Sequence, residues 1–250
     1  MRGAVDISNF LKSNKISCPV SFIGSHVQAL PYQTLKDEKS IDIVFTNEGV
    51  YAIKNLLKLD NFTSNNLKTI KGIAYRDKEE IKVNLPEKVV PTERMDIDLP
   101  GYAWDLLPYK NKPLDLYRSP MWHAEYDYEK RSPYASIQTS LGCVFKCNFC
   151  MINLINRNDT EHVGVAGNYS NMRFWSTDFI IKEFDKLINM GVKTIRIVDE
   201  MFLLNQKYYV PLCEKLAERN KDDKLRMWSY SRIDTVKRPE ILKLVRKARY

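Results

Sequence analysis

Three cysteines fall close together at Cys143, Cys147 and Cys150, in the run Thr139-Ser-Leu-Gly-Cys-Val-Phe-Lys-Cys-Asn-Phe-Cys150. This C-x3-C-x2-C spacing constrains the chain more than any other feature. It lets one short loop wrap three thiolates around three corners of a cubane iron–sulfur cluster, leaving the fourth iron without a protein ligand. An open iron can bind a small molecule, so such a cluster can do chemistry as well as carry electrons. Residues 134–140 read as a short buried strand leading into the loop. Gly142 lets the backbone turn sharply beside the thiols.

Other uses of the cysteines fit less well. A structural zinc site wants four Cys or His ligands. Cys147, Cys150 and His162 make part of a zinc-finger spacing, but no second histidine follows and Cys143 is left over. Five cysteines is an odd number, and no apolar signal core precedes them, which argues against a disulfide framework. Cysteines with packing roles alone rarely take this spacing. Cys213 falls mid-helix and reads as a core residue. His123 and His162 carry no assigned role.

The 250 residues, 44% hydrophobic and 28% charged, suit an ordinary globular protein of one or two domains. No run of eighteen apolar residues offers a membrane-spanning helix, and a reducing cytoplasm is the expected location. The net charge of +8 raises the question of nucleic acid. The lysines are scattered over expected helix faces, without a block of like charges, so a solvated surface is the reading here. Nucleic acid is not expected as a partner.

Three parts are expected along the chain. Residues 1–90 form a small α/β unit, with strands at 19–24, 41–46, 67–75 and 80–84 and a helix at 49–59. Residues 91–132 form a linker rich in proline and aromatic residues; proline at this density excludes long helices and central strands. Residues 133–250 alternate strand and helix: after the first strand and its cysteine loop come a helix at 178–190, a strand at 192–198, a helix at 208–219, a strand at 225–230 and a helix at 239–248. Ser176 or Thr177 can cap the first of these helices and Gly191 can end it. Repeated βα order implies a parallel sheet.

The cysteine loop resembles the cluster motif of radical S-adenosylmethionine enzymes. Its third cysteine is preceded by an aromatic residue, Phe149, and Ser140-Leu-Gly-Cys143 leads in, both as is usual in that family. A second resemblance lies upstream, to the cobalamin-binding domain that precedes many such cores. Gly24-Ser-His-Val-Gln-Ala-Leu-Pro31 resembles its Gly-rich turn with a following His and Pro, and Asn47-Glu-Gly49 falls where those domains carry a Gly-Glu-Gly-Glu turn. Gly101-Tyr-Ala-Trp-Asp-Leu-Leu-Pro108 resembles the connecting linker. The Asp-x-His-x-x-Gly element that can supply a lower axial ligand to cobalt is absent, and His26 reads as a turn residue.

These resemblances imply an α/β fold: a partial Rossmann-like half domain of cobalamin-binding type, then the N-terminal half of a radical S-adenosylmethionine (β/α) barrel. Against the family's pattern the chain reads as truncated at both ends. The implied cofactors are a 4Fe–4S cluster on Cys143, Cys147 and Cys150 and S-adenosylmethionine, with cobalamin a candidate third. The implied activity is reductive cleavage of S-adenosylmethionine to a 5′-deoxyadenosyl radical, for methyl transfer or C–H modification of a small molecule. A reductant protein such as flavodoxin or ferredoxin would supply the electron. Asp199 and, second, Glu200 stand at the end of the second barrel strand, where a carboxylate suits the cationic methionyl ammonium. Arg232, after the third strand, could pair with a carboxylate, and Phe149, in the loop, is the fourth cofactor-binding candidate. The competing expectation is a non-catalytic iron–sulfur protein, or one part of a split enzyme.

Overall fold

The computed structural model describes residues 1–111, 133–145, 147, 150, 152, 172–222, 225–236 and 238–248. The chain divides into two compact units. The first comprises Met1–Pro91 with Gly142–Asn171, the second Thr92–Leu141 with Met172–Tyr250.

The first unit holds a four-stranded sheet in the order β1 (Ser21–Phe22), β2 (Ile43–Phe45), β3 (Ile73–Asp77), β4 (Glu80–Val83). β1 and β2 are parallel; β3 and β4 complete the sheet as an antiparallel hairpin. β2 is buried on both faces, which is why its sequence is an unbroken apolar run. Ile43 and Phe45 pack with Ala52, Leu56, Ile70 and Ile73, while Val44 packs with Val27, Leu35, Ile41 and Ala74 on the other side. Each large side chain so buried contributes about 1.5–3 kcal/mol. Around this sheet lie helices α1 (Arg2–Ser13), α2 (Ser25–Ala29), α3 (Pro31–Asp37), α4 (Val50–Leu56) and α5 (Ser64–Leu67). α1 is tied down by Ser8, whose hydroxyl shares a 2.6 Å hydrogen bond with that of Ser40, and by Lys12, which donates to Asp42 at 2.6 Å.

One expectation needs correcting. Residues 67–75 do not form a single strand: Leu67 closes α5, and the strand begins only at Ile73. Gly72 takes φ +77°, which breaks the extended run. Asn84 holds the break by donating to the carbonyls of Leu67 at 2.8 Å and Ile70 at 2.6 Å.

The second unit is built on the parallel sheet β5 (Tyr134–Ile137), β8 (Thr194–Ile197), β9 (Arg226–Ser229), in that spatial order. Between β5 and β8 in the chain lie β6 (Ser140–Leu141) and β7 (Arg173–Phe174), a short antiparallel pair. Its helices are α6 (Met95–Asp98), α7 (Thr177–Asn189), α8 (Gln206–Arg219) and α9 (Pro239–Lys247). The βα alternation expected of residues 133–250 is therefore present, with most ends shifted by a residue or two; the strand expected at 134–140 stops at Ile137, and Ser140 opens β6 instead.

α7 begins at Ser176, whose hydroxyl accepts from the Phe179 amide at 3.1 Å. It ends at Gly191 with φ +86°, where Gly191 N–H reaches Ile188 O and Val192 N–H reaches Leu187 O. That pair of bonds is a Schellman stop. Along its buried stripe of Ile180, Phe184 and Leu187 sits one carboxylate, Glu183. Glu183 accepts from Trp104 Nε1 at 3.2 Å and pairs with Lys186. The backbone of Gly101 lies against it, so that a Cβ there would stand 2.9 Å from Glu183 Cδ. Trp175 Nε1 donates to Leu99 O at 2.8 Å. The described part of the proline-rich segment thus packs onto α7 and its lead-in rather than standing free. Among the described residues no helix is long and apolar enough to cross a membrane.

Candidate active site

The three residues that follow β5, Gln138, Thr139 and Ser140, are each held. Gln138 donates its amide to Tyr102 Oη at 3.0 Å. Thr139 donates its amide to Asp199 Oδ1 and its hydroxyl to Asp199 Oδ2, both at 2.6 Å. The Ser140 hydroxyl donates to the same Oδ2 at 2.6 Å. The Thr139 carbonyl accepts from Tyr208 Oη at 2.9 Å. Thr139, Ser140 and Asp199 are all buried, at 0%, 1% and 1% exposure. Burial pushes the Asp199 carboxyl upward, and the hydrogen bonds from Ser140 and Thr139 oppose that rise. Burial likewise raises the Tyr102 and Tyr208 phenols, so both stay neutral.

Glu200 follows at the same strand end and differs in kind. It is half-buried, and its Oε2 is enclosed without a hydrogen-bond partner. Burial raises its carboxyl, and the neighbouring Asp199 charge adds to the effect. A buried acceptor in that state favours a donor or a cation.

The sheet has two unlike faces. Ala135, Ile137, Ile195, Ile197 and Met227 are buried on one. On the other, Ser136, Arg196 and Trp228 stand in one register row across the three strands. The Arg196 guanidinium lies 4.7 Å from the Trp228 ring centre and 5.2 Å from that of Tyr230. Both distances suit cation–π contact.

In the first unit, Gly142 has φ +91°, a backbone state that favours glycine, just before Cys143. Cys143 and Cys147 are half-buried and Cys150 is exposed; all three are free thiols. The loop turns back on itself through Cys150 N–H to Cys147 O at 3.1 Å. Among the described residues no three His, Cys, Asp or Glu side chains converge as metal ligands do. The donor chemistry fits: three free soft thiols within eight residues of sequence are the ligand type an iron–sulfur cluster takes. Upstream, Gln28 Oε1 and Thr46 Oγ1 are buried without partners near the end of β2. Asn47 donates to Glu87 O, and its own carbonyl accepts from Gln28 Nε2. His26 is exposed on α2.

No family model matches the chain. It is 28% identical over 238 residues to an anaerobic magnesium-protoporphyrin IX monomethyl ester cyclase of Cereibacter sphaeroides, covering 90% of this chain and 32% of that one. A hopanoid C-2 methylase of Rhodopseudomonas palustris is 33% identical over 128 residues, 49% of this chain and 22% of the relative. Among solved structures, the cobalamin-dependent S-adenosylmethionine radical enzyme OxsB, with aqua-cobalamin and S-adenosylmethionine bound, superposes at TM-score 0.62 and 20% identity. That match covers 97% of this chain and 30% of OxsB. The radical S-adenosylmethionine methyltransferase TsrM from Kitasatospora setae superposes at 0.63 and 17% identity, over 98% and 42%. The chain shares the fold of OxsB and TsrM over the part of each that it covers. The chain spans less than half the length of each of these relatives.

The residues singled out from sequence fall in different settings. Asp199 has every accepted hydrogen bond filled by Thr139 and Ser140. Glu200, beside it, keeps an enclosed oxygen without a partner. Arg232 is exposed and forms a two-pronged pair with Asp234, at 3.0 Å for each contact. Phe149 lies outside the described residues. Sequence reasoning missed Tyr102 and Tyr208. Tyr102 was legible only as one more packing aromatic, while the Thr139-Ser140 pair closing an apolar strand was the available hint of a buried polar cluster.

Proposed function

We propose that Cys143, Cys147 and Cys150 hold a 4Fe–4S cluster and that the chain carries the cluster-binding part of a radical S-adenosylmethionine enzyme. The observation that carries this reading is the C-x3-C-x2-C loop following the first strand of a parallel βα sheet, with all three thiols free. Held by Cys143, Cys147 and Cys150, such a cluster would supply the electron for reductive cleavage of S-adenosylmethionine. The protein's part is to bind, orient and exclude water. Glu200 is the better candidate to meet the methionyl ammonium, because the Asp199 carboxylate already accepts three hydrogen bonds from Thr139 and Ser140. The row of Ser136, Arg196 and Trp228 would face the small molecule to be modified, by methyl transfer or another C–H change. Flavodoxin or ferredoxin fits the role of reductant.

Cobalamin belongs to the same proposal. The residues that would meet it are Gly24, His26, Asn47 and Gly49 near the ends of β1 and β2, with the unpartnered Gln28 Oε1 and Thr46 Oγ1 as polar contacts. Cobalt bound there would serve as a methyl carrier.

The test is anaerobic reconstitution with iron and sulfide, then reduction with S-adenosylmethionine and assay of 5′-deoxyadenosine, beside a C143A/C147A/C150A variant. Cysteine-dependent 5′-deoxyadenosine is the expected result. A cluster without cleavage would favour the electron-carrier or split-enzyme alternative, and the lack of any cluster would overturn the proposal.

A further inference from the structure

We propose that Asp199 is the positioning residue of the cysteine loop: it fixes the point at which the chain leaves the sheet for Cys143. The inference rests on the cluster reading above and goes beyond it, because it gives this carboxylate a task that touches neither cluster nor S-adenosylmethionine.

Asp199 accepts three hydrogen bonds, and all come from Thr139 and Ser140. Those residues contribute one amide and two hydroxyls, so both the backbone and the side chains of the segment are fixed. Tyr208 takes the Thr139 carbonyl and Tyr102 the Gln138 amide, while Val198 N–H bonds to Ile137 O at 2.9 Å. Every residue from 137 to 140 is thus held by a partner distant in sequence. Only Leu141 and Gly142 then separate the knot from the first thiol.

A carboxylate buried to 1% exposure is an expensive way to hold a strand that already has ladder bonds. It becomes intelligible if the segment must be held to a fraction of an ångström. A cluster ligand needs its sulfur at one distance and direction, and residues behind the ligands set that precision. Two hydroxyls and an amide gathered on one carboxylate define both the height and the rotation of residues 139 and 140. A ladder bond alone sets only the height.

The experiment compares wild type with D199N, T139V, T139S and S140A after anaerobic reconstitution with iron and sulfide. The readings are iron and sulfide content, the electron paramagnetic resonance spectrum of the reduced cluster, and cluster lifetime in excess chelator. Circular dichroism and urea unfolding identify which variants remain folded. T139V keeps the shape and the amide and loses one bond, so it serves even if D199N fails to fold. We expect T139V and S140A each to shorten cluster lifetime about threefold or more, with an altered spectrum. T139S, which restores the hydroxyl, returns both toward wild type. D199N keeps an acceptor for the Thr139 amide and loses the charge, and its spectrum shifts further. If folded T139V and S140A match wild type in lifetime and spectrum while wild type binds a full cluster, the inference is wrong and the cluster reading stands. If wild type itself binds no cluster, both fall together.

Discussion

Replacing Gly101 by alanine tests how the proline-rich segment is locked onto α7, and Gly191 supplies the matched control. Both glycines have left-handed φ, +91° and +86°. An L-residue there loses about 1–2 kcal/mol. The smaller entropy of the unfolded alanine chain returns about 0.4–1 kcal/mol of that. At Gly191 nothing stands within 4 Å of the new Cβ, so the net loss should be about 1 kcal/mol. At Gly101 the Cβ meets Glu183 Cδ at 2.9 Å and its two oxygens at 3.0 and 3.1 Å. The Glu183 side chain is 2% exposed and tied to Trp104 and Lys186, so it cannot swing aside freely. Displacing it breaks at least one hydrogen bond to a buried charge, at about 1.5–3 kcal/mol. G101A should therefore lose about 2.5–4 kcal/mol, at least about 1.5 kcal/mol more than G191A. All four tryptophans lie beyond residue 91, so urea unfolding followed by tryptophan fluorescence reads the second unit. Equal losses in the two variants would refute the argument, because the shared φ would then account for everything.

Two other outcomes are expected. S176A should cost about 1 kcal/mol in the same titration, since it removes the acceptor for the Phe179 amide at the start of α7; S176D, which keeps an acceptor, should recover most of it. Cys213 is fully buried and burial pushes its thiol from 9.0 up to about 12, so a disulfide reagent at mildly alkaline pH should label exposed Cys18 quickly and Cys213 only in urea. The folded state favours the neutral thiol, so this contribution to stability is intact below pH 9.0 and lost as the pH rises toward 12. C213A should flatten that alkaline limb; a limb unchanged by C213A would show that other groups cause it.

Much of this molecule is readable because its elements are simple. The apolar run of β2, the alternation of Thr194-Ile-Arg-Ile197 in β8 and the period of α7 each point to one structure, and the Ser176 and Gly191 signals mark α7's ends within a residue. What escaped were features made by partners far apart in the chain. The break between Leu67 and Ile73 depends on Asn84, which local pattern treats as a strand end. β6 exists only because Arg173 and Phe174 return beside it. Asp199 reads from sequence as a strand-end acid suited to the methionyl ammonium, because nothing local reveals that two hydroxyls about sixty residues earlier will surround it.

The two faces of the β5–β8–β9 sheet place different limits on change. On the buried face the limit is volume: one methylene more or less at Ile137 or Ile195 must be absorbed by close packing. On the other face the limit is polarity. A row of serine, arginine and tryptophan cannot be covered by an ordinary apolar layer without stripping water from a guanidinium. Whatever lies over that row must be wet, polar or flat enough to stack. Substitutions on this face can therefore alter what the sheet accepts while leaving the packing that holds it together untouched.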